Sequence, residues 1–60
     1  MYLEVIIQEE NVTKIEIIDK HGASIVCDVE HIEGERYKVV TNIEQAIELT
    51  SDFYEIKIIE

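Results

Sequence analysis

The sequence of 60 residues contains no proline, no tryptophan, two glycines and one cysteine. The single cysteine, Cys27, excludes an internal disulfide framework. Two glycines are too few for a glycine-rich phosphate-binding loop or a nucleophile elbow, and neither motif occurs. No apolar run approaches the roughly 18 residues of a membrane span, and the start lacks the basic and apolar blocks of a signal peptide. We therefore expect a soluble, cytoplasmic protein that does not bind membranes.

Basic side chains are also scarce, because five Lys and Arg stand against 14 Asp and Glu, which gives a formal net charge of −9. Nucleic acids and anionic membranes attract basic surfaces, so this charge disfavours both as direct partners. The chain is nevertheless 47% hydrophobic, which is enough for residues 1–60 to fold as one small domain. A domain of this size buries only about 60% of its unfolded surface, so association with a partner is a common further source of stability.

Hydrophobic periodicity predicts a small α+β fold in which a four-stranded antiparallel meander precedes one short helix and a fifth strand. Alternation of apolar and polar residues predicts strands over 2–8, 12–19, 23–32, 36–41 and 53–59. The helix is predicted over roughly 42–50, with Thr41-x-x-Glu44 as a capping box. Its apolar face, which packs on one face of the sheet, consists of Ile43, Ala46 and Ile47.

Loops of three residues, at 9–11, 20–22 and 33–35, place the apolar residues of successive strands on the same face. Gly22 then lies where such a hairpin requires a left-handed residue. The predicted pairs are Val5 with Ile15, Leu3 with Ile17, Ile17 with Ile25, Ile15 with Cys27, Lys14 with Asp28, Val29 with Val39, and Glu30 with Lys38. With the fifth strand beside the first, the predicted strand order is 5-1-2-3-4.

The opposite face of the predicted sheet also carries apolar residues, and one helix cannot cover both faces. A second apolar face of this kind is typical of a surface buried in a contact, so we expect a homodimer. The predicted oligomer interface consists of Tyr2, Ile6, Ile18, Val26, Val40 and Phe53.

The residues that carry chemistry predict no catalytic, cofactor or metal site. Cys27 and His31 share a strand face but lie about 13 Å apart at about 3.3 Å per residue, which is too far for one zinc ion. Asp28 and Glu30 instead face Lys14 and Lys38 across the strands. We therefore expect a protein that is not an enzyme.

Stretches 1–13 and 39–54 contain acidic residues and no Lys or Arg. The predicted partner-binding residues are Glu9, Glu10, Glu44, Glu48 and Asp52. If the helix and the loops around 9–10 and 33–35 share one edge of the molecule, these carboxylates form a row that imitates nucleic-acid phosphates to a basic protein groove. The alternative is that the charge serves solubility alone.

The stretch Leu49-Thr50-Ser51-Asp52, followed by Tyr54, Glu55 and Lys57, resembles part of the phage uracil-DNA glycosylase inhibitors, acidic proteins that resemble DNA to their target. The similarity covers about nine of 60 positions and transfers no binding residues. What it implies is a similarity of type, since many phage inhibitors are short, acidic and non-catalytic.

These observations favour a non-catalytic, homodimeric interaction protein, of the kind that phages and prophages use to inhibit a host defence or nucleic-acid-handling protein. One alternative is a structural or regulatory subunit, such as an antitoxin or an assembly component. Another is a dimer that binds a small ligand. Salt dependence separates electrostatic groove binding from apolar packing.

Overall fold

The computed structural model describes all 60 residues and shows one five-stranded antiparallel sheet with one helix. The elements in chain order are β1 (Glu4–Ile6), β2 (Lys14–Asp19), β3 (Ser24–Glu33), β4 (Arg36–Val39), α1 (Ile43–Leu49) and β5 (Tyr54–Ile59). This confirms the predicted α+β fold class, in which a helix follows four strands and precedes a fifth.

The strand order is β1-β4-β3-β2-β5, so the predicted order 5-1-2-3-4 is wrong. β1 pairs with β4 and places Val5 opposite Tyr37, whereas Ile15 of β2 faces Ile58 of β5. The side chains of Val5, Ile15 and Tyr37 all lie on the inner face of the sheet, so the alternation of apolar residues is satisfied whether Val5 pairs with Ile15 or with Tyr37. The Tyr37 hydroxyl donates a hydrogen bond of 2.8 Å to the Glu9 carbonyl oxygen, which holds the chain after β1 on the β4 side.

Three of the four strands of the predicted meander, β2, β3 and β4, pair in chain order and with the predicted register. The predicted pairs of Val5 with Ile15 and Leu3 with Ile17 do not form, because β1 pairs with β4 and not with β2. The confirmed pairs are Ile17 with Ile25, Ile15 with Cys27, Lys14 with Asp28, Val29 with Val39, and Glu30 with Lys38. Gly22 has a φ of 85° in the β2–β3 turn, as the predicted loop requires. The β3–β4 connection differs from the prediction because the register shifts between His31 and Glu33, which marks a β-bulge before the turn at Gly34.

The helix begins at Ile43 without the predicted capping box. The Thr41 hydroxyl instead accepts a hydrogen bond of 2.8 Å from the Asp28 backbone N–H, and no side-chain hydrogen bond caps the helix. Asn42, in the left-handed conformation, precedes the helix, and its side-chain amide donates to the Val26 carbonyl oxygen. The two contacts tie the start of α1 to β3. The helix does not have the length and apolarity that crossing a membrane requires.

The core lies between the inner face of the sheet and α1. Ile15, Ile17 and Cys27 from the central strands are fully buried, as is Ala46 of the helix. The other buried side chains are Val5, Ile7, Val12, Val29, Tyr37 and Val39. The sheet curls around this core, so that its two edge strands, β1 and β5, contribute residues to the same groove.

Candidate protein-binding site

One end of the sheet carries a cluster of acidic side chains. Glu9 and Glu10 follow β1 and line one concavity together with Glu35 of the β3–β4 turn. The same two residues line a second concavity with Glu60, which follows β5. We call these four residues, Glu9, Glu10, Glu35 and Glu60, the acidic end. All four are exposed.

The carboxylates of the acidic end have no basic partner within the protein. The four ion pairs of the chain involve other acids, namely Glu4, Asp28, Glu33 and Asp52. The uncompensated charge therefore faces solvent at one end of the molecule, where it produces a negative potential toward an approaching partner.

Hydrogen bonds and one left-handed residue fix the loops that carry Glu9, Glu10 and Glu35. The Ile7 N–H donates to the Glu35 carbonyl oxygen at 2.8 Å, which joins the end of β1 to the β3–β4 turn. The Tyr37 hydroxyl donates a hydrogen bond to the Glu9 carbonyl oxygen. Asn11 has a φ of 60°, a left-handed conformation that asparagine tolerates better than most residues, and this lets the chain turn toward β2. The acidic end is thus attached to ordered strands.

A notch of about 400 Å³ opens beside Glu10. Its lining residues are Glu10, Asn11, Val12, His31, Gly34 and Tyr37. The His31 Nε2 atom lies 2.8 Å from the Gly34 carbonyl oxygen, and this makes the ring nitrogen the donor. The His31 ring also packs against Tyr37, with centroids 5.0 Å apart. A carboxylate next to an exposed ring suits a lysine or arginine side chain of a partner.

The predicted acidic residues do not form one strip. Glu9 and Glu10 lie at the acidic end, whereas Glu44 and Glu48 lie on the exposed side of α1. Asp52 follows α1 and forms an ion pair with Lys20, in the turn at the opposite end of β2. The helix packs beside β2 and β3, and Glu44, Glu48 and Asp52 line neither of the two concavities of the acidic end.

Ion pairs interrupt the outer face of the sheet, which the sequence predicted to be apolar. Arg36 of β4 contacts Glu4 of β1 at 2.7 Å and Glu33 at 3.7 Å. The hydrogen bond to Glu4 raises the pKa of Arg36. Lys14 contacts Asp28 at 3.8 Å across β2 and β3. The outer face is therefore a mixture of charged and apolar side chains.

The six predicted interface residues fall into three groups. Ile18 and Val26 lie on the outer face of neighbouring strands, and Ile18 lines a concavity with Phe53. Tyr2 and Val40 flank the β1–β4 pair, at the start of β1 and the end of β4. Ile6 lies at the groove between β1 and β5. The most exposed of the six are Phe53, Tyr2 and Ile6, at 69%, 62% and 60%.

Cys27 is a buried residue of the core. Burial, and then the charge of Asp28, raise the pKa of the Cys27 thiol, which disfavours the nucleophilic thiolate. Ile15 lies opposite it in β2, as predicted. No group of three or more His, Cys, Asp and Glu side chains in the chain is arranged to hold a metal ion.

Comparison of the chain with protein-family models, with curated proteins and with solved structures finds no match.

Sequence reasoning missed two features of the site. Glu60 joins the acidic end because β5 pairs with β2 and so ends beside the loop that precedes β2. The Glu4–Arg36 pair exists because β1 pairs with β4. Both depend on the strand order. The opposite charges of Glu4 and Arg36 are the sequence signal from which a β1–β4 pair could have been predicted.

Proposed function

We propose that this protein is a non-catalytic interaction protein that binds a basic surface of another protein through its acidic end. The observation that carries the proposal is the absence of any basic partner for Glu9, Glu10, Glu35 and Glu60. A cationic partner supplies the missing counter-charge, and its approach is accelerated by the opposite potentials.

The partner that best fits such a surface is a protein whose basic groove normally holds nucleic acid. Carboxylates spaced along adjacent loops act on that groove as phosphates do, and their binding excludes the nucleic acid. The consequence is inhibition of the partner. The biological setting that we propose is a phage-type inhibitor of a host defence or nucleic-acid-handling protein.

Two double variants of equal net charge test this proposal. Glu9→Lys with Glu10→Lys reverses the charge at the acidic end, whereas Glu44→Lys with Glu48→Lys makes the same change on α1. The unaltered protein and both variants are immobilised, a bacterial lysate is passed over each at low salt, and a salt step elutes the bound proteins for mass spectrometry. We expect a basic protein to bind the unaltered protein and the helix variant but not the loop variant.

The matched charge makes location the only difference between the two variants. Equal capture by both would mean that any acidic surface suffices and would remove the acidic end from consideration. Loss of capture only in the helix variant would assign recognition to Glu44 and Glu48 instead. For a captured protein, affinity should decrease steeply with ionic strength, since exposed charges are screened within about 8 Å at 0.15 M salt.

Self-association is a second candidate, favoured by the corner at which Ile18 and Phe53 line one concavity. Phe53 is 69% exposed and shares a concavity of about 390 Å³ with Ile18. A homodimer through this corner would serve an assembly or regulatory role. Phe53→Asp should then convert a dimer to a folded monomer in light scattering, and a wild-type monomer at high concentration would exclude this role.

A further inference from the structure

The groove between the two edge strands is lined almost entirely by apolar residues. It has a volume of about 280 Å³, and four isoleucines and a glutamine line it: Ile6, Ile7, Gln8, Ile56 and Ile58. We call this groove the seam. β1 and β5 form the two edges of the sheet, and no backbone hydrogen bond joins them across the seam.

The seam continues into the hydrophobic core. Ile7 is 3% exposed and belongs to the core, and Ile56 and Ile58 pack against it from β5. Ile6, on the other side, is 60% exposed. An apolar wall next to unpaired backbone N–H and C=O groups is a surface to which a β-strand can be added. The added strand forms hydrogen bonds with the backbone groups and buries the apolar side chains.

The directions of the strands determine how such a segment would lie. β1 is antiparallel to β4, and successive antiparallel pairs through β3 and β2 leave β1 and β5 running in the same direction. Both strands run toward the acidic end. A segment antiparallel to β5 therefore enters the seam with its N-terminal residues beside Glu9, Glu10 and Glu60.

Charge selects the occupant. The seam opens at the acidic end, so cationic residues at the N-terminal side of the segment meet unpaired carboxylates. A second copy of this chain is disfavoured in the seam, because a chain with a net charge of −9 offers these carboxylates no excess of cations. The apolar residues of β5 that face the core alternate along the strand, so the segment should present apolar side chains at alternate positions.

We propose that the seam binds an extended segment of a basic partner protein, which pairs antiparallel with β5. The basic residues at the N-terminal side of this segment contact the acidic end, and the apolar residues that follow at alternate positions lie in the seam. This inference rests on the proposed function and adds the mode of binding.

The probe is a fluorescein-labelled synthetic peptide with Lys and Arg residues followed by alternating Val and Thr, measured by fluorescence anisotropy. Two matched peptides serve as controls. One has the same residues in reverse order, and the other carries N-methyl groups on the amides that would face β5. We expect both to bind about tenfold or more weakly than the probe. The backbone amides of β5 should gain protection from hydrogen exchange when the probe peptide is added, but not when either control peptide is added.

Two protein variants separate the two proposals. Ile6→Asp, at an exposed position, should lower the affinity for the probe peptide without loss of the far-UV circular dichroism signal. Glu9→Lys with Glu10→Lys should remove the salt-dependent part of that affinity. Binding that depends on the glutamates but not on N-methylation or sequence order would overturn the seam and leave the proposed function intact. Peptide binding that is unchanged by Glu9→Lys with Glu10→Lys would overturn the proposed function, and with it the part of the seam proposal that rests on the acidic end.

Two further outcomes also overturn the seam. One is the absence of any binding at millimolar peptide. The other is a dimer, formed without peptide, in which the β5 amides are protected, because that result assigns the seam to a second copy of the chain.

Discussion

Ile15 is the residue whose truncation tests the core most directly. It is fully buried in β2, between Cys27 of β3 and Ile58 of β5. Ile15→Ala removes three carbons, which are worth about 2.4 kcal/mol at about 0.8 kcal/mol each, and the residual cavity brings the expected loss to about 3–4 kcal/mol. A chain of this length has a free energy of unfolding of only about 3–9 kcal/mol in total. We therefore expect Ile15→Ala to lose at least about a third of the stability of the domain.

Ile6→Ala is the matched control, because it makes the same chemical change at a side chain that is 60% exposed. Its cost should stay below about 1 kcal/mol. Ile15→Val, which removes one carbon, should cost about 0.5–1.5 kcal/mol and remain measurable if the alanine variant does not fold.

Urea unfolding followed by far-UV circular dichroism gives the free energies of all three variants at a common slope. A similar loss for Ile6→Ala and Ile15→Ala would refute the assignment of β2 to the centre of the core. A loss below about 1 kcal/mol for Ile15→Ala would refute it as well.

Three further predictions concern chemistry and strand order. Because the pKa of Cys27 is raised by burial, its thiol should react with iodoacetamide at least about 100-fold more slowly in the folded protein than in urea, and equal rates would mean that β3 opens freely. The pKa of Asp52 is lowered by hydrogen bonds from Lys20 and from a backbone N–H, so the stability it adds is present above the ordinary Asp pKa and is lost as the pH falls through the lowered value. The difference in stability between wild type and Asp52→Asn should therefore be largest near neutral pH and vanish in acid. Glu16 faces Lys57 across β2 and β5, so a Glu16→Cys, Lys57→Cys variant should form a disulfide on mild oxidation, and failure would contradict the β2–β5 pair.

Local patterns predicted the elements of this fold well, because each depends on residues close in sequence. The alternation of Ile15 and Ile17 identified a half-buried strand, and Gly22 identified the β2–β3 turn. The apolar spacing of α1 placed the helix within one residue of its observed ends. Strand order failed because it depends on which edge is free, and inward-facing residues of several strands satisfy the same periodicity.

The candidate site was predictable only in part for the same reason. Glu9 and Glu10 stood out by charge, and they do lie at one end with Glu35. Their separation from Glu44 and Glu48 follows from where α1 packs, which no local pattern gives. The predicted capping box does not form, because Asn42 is the N-cap residue and the Thr41 hydroxyl binds the N–H of Asp28, a residue thirteen positions earlier in the chain.

The acidic end should also carry a cost in stability, because Glu9 and Glu10 repel Glu35 and Glu60 without a cation to compensate. Glu9→Gln with Glu10→Gln should therefore raise the thermal midpoint at low ionic strength while it weakens binding to a basic partner. The gain should disappear at 1 M salt, where charges are screened within about 3 Å. Glu33→Gln is the control, since Glu33 contacts Arg36 and its neutralisation should bring no gain. A midpoint that does not rise would mean that these carboxylates are too far apart to repel, and a binding surface built on their shared field would then be excluded. A rise together with weaker binding would show that the charge is retained at the expense of stability, which is expected of a surface that recognises a partner and not of one that provides solubility alone.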